Sequence, residues 1–453
     1  MPPLPEAADR REQSGDGISA RRVALTLLDD IFFRRRNLDE ALAGSHAFET
    51  LRPRDRAFVR LLVATVLRHA RQMDAVLQHF LHEPLSALKP PSLVNIFRLG
   101  IAQLVFLKTA PHAAVNTTVA LAEATGITHQ KPLVNAIMRR LTREGFPAMT
   151  ERDAGKFNTP EWLWTQWMQD YGIETALQMA ATHFSEAPLD ITVKDHAEQW
   201  AERLGAALLP TGSLRKSNGG FIPDMPGFAE GQWWIQNAAA ALPAKLFGIL
   251  EGKTIVDLCA APGGKTAQLA TAGAHVIAVD RSAERLKRLR ENMDRLHLAV
   301  ETVVADGAAW LPKAPVDAVL LDAPCTATGT IRHQPDILHL KTLNDQEKLV
   351  MLQRRLLVNA VKMLKPGGIL IYCTCSLQKA EGEGQIDWLL SQNLPVQRSP
   401  VMPAEISGIA DMITGHGDIR SLPLHWAAFN GIDGFFIARL IRHQQGNSHD
   451  KHR

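Results

Sequence analysis

The sequence predicts a multi-domain protein: an all-α bundle, a small α+β connector and a doubly wound α/β domain. Three observations carry that reading. From residue 21 to 144 the apolar residues recur only at helical spacing. After residue 250, short β-forming runs alternate with amphipathic helices, the pattern of a parallel sheet covered on both faces. Between the two lies a stretch of turns and short apolar runs. At 453 residues the chain has room for about three domains.

Residues 1–20 are polar, with Pro, Gly and Ser, and are expected to be disordered. Val23, Leu27, Leu28 and Ile31 begin the first helix. Phe58, Leu61, Leu62, Val66 and His69 mark the apolar face of the next, preceded by the basic run "RPRDR" at 52–56. "LVNIFRLGIAQLVFL" (93–107) and "PLVNAIMRRL" (132–141) continue the pattern, punctuated by Pro111 and Gly126. These give a helical domain over 21–144. The connector, 145–235, opens with the helix "TPEWLWTQWMQDYG" and contains the strand "APLDITVK" (187–194). Trp162, Trp164 and Trp167 stand at helical spacing and read first as packing, with a base-stacking platform as the alternative.

The third domain is expected over 236–444. Its strands are "TIVDLCA" (254–260), "AHVIAVD" (274–280), "ETVVADG" (301–307), "DAVLLDAP" (317–324), "GILIYCTCS" (368–376) and "DGFFIARLIR" (433–442). Helices are expected at 283–296 and 345–364, the latter ended by "KPGG". Residues 445–453 are expected to be a disordered tail.

Charge and cysteine usage narrow the function classes. The net charge is +3, but residues 1–150 hold 20 Lys/Arg against 14 Asp/Glu. That excess hints at a polyanion, although solvated helix faces explain it equally well. No apolar run reaches the ~18 residues of a membrane helix; "LGIAQLVFL" (99–107) stops at Lys108. With four cysteines and no apolar leader, the reading is a cytoplasmic protein without structural disulfides.

"DLCAAPGGKT" (257–266) ends like a phosphate loop, but that motif needs glycine where Cys259 stands. The dinucleotide fingerprint G-x-G-x-x-G is absent too. What remains is a strand, a tight turn of small residues and a helix, in which Gly263 and Gly264 permit close approach of a ligand. Asp257, at the strand end, can receive an ammonium group. Asp280, 23 residues on, can accept both hydroxyls of a ribose, and Asp306 can take the amino group of an adenine. An amino group, a ribose and an adenine together describe S-adenosylmethionine.

Cys325 follows the fourth strand of this domain and Cys375 the fifth, so both thiols can face one pocket with Asp322 beside them. Cys373 reads as core and Cys259 as loop packing. One C-x-C with no second pair is a poor zinc site, and no metal is expected. Two cysteines beside a methyl donor suggest methylation at C5 of cytosine. A thiolate that adds to C6 makes C5 enamine-like and able to attack a methyl sulfonium. A carboxyl group near N3, here Asp322, relieves charge developing on the ring.

At these residues the chain resembles a known family. "DLCAAPGGKT", "DAPCTATGTIRHQPD" and "YCTCSLQKAEGE" look like the motifs of RNA cytosine-5 methyltransferases of the Sun type. The first third, with "RPRDRAFVRLLVATVLRH" and "PLVNAIMRR", resembles the NusB-like RNA-binding domain. The resemblance runs from about residue 20 to 443. It implies a Rossmann-like catalytic domain using S-adenosylmethionine, held by Cys259, Ala260, Ala261, Pro262, Gly263, Gly264, Lys265, Asp280, Asp306 and Asp322. It implies that Cys375 is the nucleophile, that Cys325 assists product release and that Asp322 contacts cytosine N3. The domain combination implies 16S ribosomal RNA as partner, free or partly assembled, with no DNA and no membrane. The same chemistry on transfer RNA or another ribosomal site, and a non-catalytic RNA-binding factor, stay open as alternatives. Three departures touch parts expected to face RNA: His333 replaces an arginine, Asn237 follows Gln236 where aspartate is usual, and Ile191–Lys194 replaces the usual connector strand.

Overall fold

A computed structural model describes residues 6–217 and 220–443. The expected tail 445–453 and residues 1–5 lie outside the described residues. The described chain forms two compact units. The first comprises the residues up to Thr165 together with Ala176–Ser185 and His333–Lys341. The second comprises Gln166–Thr175, Glu186–Arg332 and the residues from Thr342 onward.

The first unit is helical. Its opening helix runs Glu6–Arg34, so residues 6–20 are helical where disorder was expected. "EAADRREQ" is rich in good helix formers, and a helix anchored by buried Leu27, Leu28 and Ile31 propagates at low cost once nucleated. In the helix Pro53–Phe80 the buried stripe is Val59, Leu62, Val63, Val66, Leu67, Ala70 and Met73. Leu61, assigned to the apolar face by periodicity, points to solvent, because the i, i+3, i+4 stripe runs through its neighbours. Trp164 is buried and packs under the Lys156 ammonium.

A far segment of sequence completes this unit. Within His333–Lys341, the Asp336 carboxylate accepts the Leu38 backbone N–H at 3.1 Å. His339 donates a ring N–H to the Leu67 carbonyl at 2.7 Å, and Leu340 packs on the helical core. Burial holds the His339 pKa down to about 4, so it makes this contact as a neutral ring.

The second unit contains two sheets. The smaller is antiparallel, in the order β2 (Ala207–Leu208), β3 (Leu214–Lys216), β1 (Leu189–Val193), β4 (Trp233–Ile235). Asp190 and Arg215 form a bidentate ion pair across β1 and β3, both contacts at 2.7 Å and both side chains buried. Asp190 also accepts the Ala238 N–H, and Arg215 donates to the Phe429 and Gly431 carbonyls. That pair therefore ties the small sheet to Ala238 and to the 429–431 loop, near the two ends of the C-terminal domain.

The larger sheet runs β10 (Val396–Arg398), β12 (Phe435–Arg442), β9 (Leu364–Thr374), β8 (Val316–Asp322), β5 (Thr254–Leu258), β6 (His275–Asp280), β7 (Glu301–Val304), with β11 (Ile419–Ser421) paired to β12. Strands β5 to β9 are parallel, and β12 runs antiparallel to β9. Alternate residues pack on opposite faces: Ile255, Leu320, Ile371 and Ile437 on one, Val256, Val319, Tyr372 and Phe436 on the other. A sheet covered on both faces reads as the continuous apolar runs seen in the sequence. "KPGG" was expected to lie between helix and strand. It lies inside β9 instead, where pairing shifts from Val316↔Leu364 to Ala318↔Ile369, and its glycines let the extra residues bulge out. Strand order reverses between β5 and β8. Ligands of such sheets sit at the carboxyl ends beside that switch.

Candidate active site

Three strand ends build the site. After β5 the backbone turns through Cys259, at φ +62°, and Gly263, at φ +104°, into the helix Gly264–Thr271. A Cβ at Gly263 would stand 2.8 Å from Leu289, so both conformation and space demand glycine there. The Asp280 carboxylate braces this loop by accepting the Ala261 N–H at 3.3 Å and the Ser282 N–H at 2.9 Å. Arg285 bridges the Asp280 carboxylate and the Ala261 carbonyl.

Asp257 is fully buried on β5. Its Oδ2 accepts the Thr266 hydroxyl at 2.6 Å, whereas Oδ1 has no hydrogen-bond partner among the described residues. Burial pushes its pKa up to about 7. It lines a cavity of about 440 Å³ with Gly263, Gly264, Lys265, Asp322 and Asn237. The donor set suits S-adenosylmethionine: a buried carboxylate oxygen lacking a donor, for an ammonium, beside glycine backbone that admits close approach. Ala260 and Pro262 also line the cavity; Cys259, Ala261, Asp280 and Asp306 do not. Asp306 stands two residues past β7, mostly exposed. Its Oδ1 accepts the Ala308 N–H, and Arg355 lies 3.7 Å away.

The β8 and β9 ends carry the sulfurs. Cys325 Sγ lies 3.5 Å from Cys375 Sγ, and Gly329 N–H donates to the Cys375 carbonyl at 2.9 Å. The hydrogen bond to Cys375, together with burial, pushes the Cys325 thiol well above its ordinary pKa. Cys373 is buried in β9 and donates its thiol to Asp322 Oδ1 at 3.5 Å; burial and that carboxylate keep it protonated. Burial and the nearby acids push Cys259 up to about 12, which leaves it unreactive.

Lys265 was assigned only to the cofactor loop. Its buried ammonium makes an ion pair with Asp322 at 2.8 Å and lies over the Phe435 ring. Burial works against its charge, but the Asp322 carboxylate outweighs this and raises its pKa. Lys265 thus pairs with Asp322 across two strand ends, a contact that its place in "GGKT" does not reveal. Asn237 Oδ1 accepts the Ala239 N–H at 2.8 Å, a contact that the usual aspartate would make equally well. Glu381, Gln353, Thr326 and Ser376 form a buried polar cluster beneath the cysteines that sequence reasoning missed. The only signal was an acid inside "YCTCSLQKAEGE".

Comparison with known proteins gives a consistent picture. A family model described as 16S rRNA methyltransferase RsmB/F matches residues 245–441, and the NusB family model matches residues 18–143. Ribosomal RNA small subunit methyltransferase B of Xanthomonas campestris pv. campestris is 35% identical over 451 residues, covering 95% of this chain and 99% of the relative. The Vibrio cholerae protein of the same name is 34% identical, covering 83% and 90%. Among solved structures, PH0851 matches with a TM-score of 0.75 at 23% identity over 94% of this chain and 98% of its own. A methyltransferase homolog protein from Pyrococcus horikoshii matches with a TM-score of 0.52 at 27% identity, over 67% and 98%.

Proposed function

This chain belongs to the ribosomal RNA small subunit methyltransferase B family, which is S-adenosylmethionine-dependent, and from that premise we propose that it methylates C5 of a cytidine in 16S ribosomal RNA through a covalent thiolate adduct. The observation that carries the chemistry is the pair of sulfurs 3.5 Å apart at the ends of β8 and β9, beside the Lys265–Asp322 ion pair.

The bound cofactor supplies the methyl group. Asp257, with its unpartnered Oδ1, receives the cofactor's ammonium, and the turn Cys259–Gly264 lets backbone approach it. The family resemblance gives Asp280 and Asp306 to its ribose and adenine, although neither lines the cavity. Cys375 is the nucleophile. Its thiolate forms a bond to C6, which breaks the C5=C6 π bond and places electron density on C5. C5 would take the methyl group, the electron pair of the broken S–CH3 bond remaining on the donor's sulfur. The C5 proton then leaves to a base, and the electron pair of the C5–H bond restores the double bond as the thiolate is expelled. Asp322 faces N3, and Lys265 fixes its orientation while lending positive field to the thiolate. Cys325 assists release.

The helical first unit grips RNA mainly through phosphates, which the arginine excess of residues 1–150 supports. The target base is splayed out of its stack to reach the thiol. The test is methyl transfer from labelled S-adenosylmethionine to unmethylated 16S RNA, read also on a denaturing gel. Cys375→Ala is expected to be folded and inactive, and Cys325→Ala to stall as a protein–RNA adduct. Full activity of Cys375→Ala refutes the assignment, and transfer to transfer RNA alone moves the substrate.

A further inference from the structure

Glu381 stands six residues after Cys375, in the turn Lys379–Glu381, and is completely buried. Every hydrogen bond to its carboxylate among the described residues comes from a neutral group. Oε1 accepts the Thr326 backbone N–H and the Gln353 amide, each at 3.0 Å. Oε2 accepts the Thr326 hydroxyl at 2.5 Å and the Ser376 hydroxyl at 2.6 Å. An acid buried with no cation bonded to it among the described residues is costly unless its hydrogen bonds are satisfied.

The donors say what is needed. Thr326 directly follows Cys325, and Ser376 directly follows Cys375. One carboxylate therefore holds the next residue of both cysteines, from two loops that are 50 residues apart in sequence. The Gln378 amide oxygen repeats the link by accepting hydroxyls of Ser376 and Thr328. Gln353, on the helix Leu343–Met363, anchors the carboxylate from outside both loops and also donates to the Pro324 carbonyl.

We propose that Glu381 is the positioning residue of the two-cysteine chemistry, fixing the Cys325 loop against Cys375 so that Cys325 reaches the adduct at the release step. The inference rests on the two-cysteine mechanism above. A carboxylate suits the role because it accepts four hydrogen bonds in one plane, whereas an amide accepts on one end only. Displacements of about 1 Å in such a site cost up to about 100-fold in rate.

Glu381→Gln keeps the size and the acceptor for the Thr326 N–H, and the two hydroxyls can turn to accept from its amide. It is expected to fold, with Tm within a few degrees of wild type. Its kcat is expected to fall at least tenfold with KM for S-adenosylmethionine and RNA unchanged, and covalent protein–RNA complex is expected to accumulate as in Cys325→Ala. A kcat within twofold of wild type overturns the proposal. So does a loss explained by a lowered Tm without adduct. Should Glu381→Gln not fold, Thr326→Val carries the test: it removes one hydroxyl, keeps the N–H, and is expected to show a smaller fall in kcat with the same adduct. Wild-type turnover by Thr326→Val would then sink the idea. Cys325→Ala alongside separates the two claims. If it yields no adduct, the release role of Cys325 fails. If it yields adduct and Glu381→Gln does not, the role of Glu381 fails.

Discussion

Asp257 combines full burial, an unpartnered oxygen and a pKa pushed up to about 7. If it receives the cofactor's ammonium as proposed, it must be ionised to bind. Below pH 7 the neutral acid predominates and binding weakens; above it the carboxylate is charged. The S-adenosylmethionine Kd is therefore expected to tighten about tenfold between pH 6 and pH 8. Asp257→Asn should bind more weakly and lose that dependence, as titration calorimetry at the two values will show. The position of residues such as this one was legible because strand ends are legible: an acid or a thiol closing a β-rich run can be placed without knowing the fold. Glu381 was not. Its meaning comes from Thr326, 55 residues earlier in the chain, and Lys265 gains its partner Asp322 only when β5 and β8 lie side by side.

Elements were read best where their period was long. The strands β5, β6, β8 and β12 and the helix Ala283–Arg295 fall within a few residues of the runs that announced them. Strands β10 and β11 were missed, since three residues carry no period and each pairs with β12, which comes later in the chain. Within the small sheet, the buried Asp190–Arg215 pair joins β1 to β3 and reaches the 429–431 loop. Removing one partner leaves the other charged and buried. Asp190→Ala is expected to destabilise the protein by roughly 3–5 kcal/mol, and the melt should show it. A loss below 1 kcal/mol would mean that water reaches Arg215 once its partner is gone.

Across the whole molecule, the family models match two separate stretches, 18–143 and 245–441. The phosphate contacts proposed for the first part would make RNA affinity salt-dependent. Replacing exposed Arg54 and Arg60 together by glutamine is expected to weaken all RNAs alike and to lower the log–log salt slope by about 1–2. Filter binding across a salt series measures both. Hidden from the sequence was the membership of His333–Lys341 in the helical unit, because "HQPDILHLK" has no period of its own and its partners, Leu38 and Leu67, lie far upstream.

That membership sets a clock on biosynthesis. The helices of residues 21–144 have all been translated by residue 144, yet the segment that bonds to the Leu38 and Leu67 backbone is made about 200 residues later. At typical translation speeds the nascent bundle waits on the order of 10–40 s for its last piece. For that interval it is an unfinished surface in a crowded cell, open to chaperones, and a message broken before codon 341 yields a bundle that is never closed.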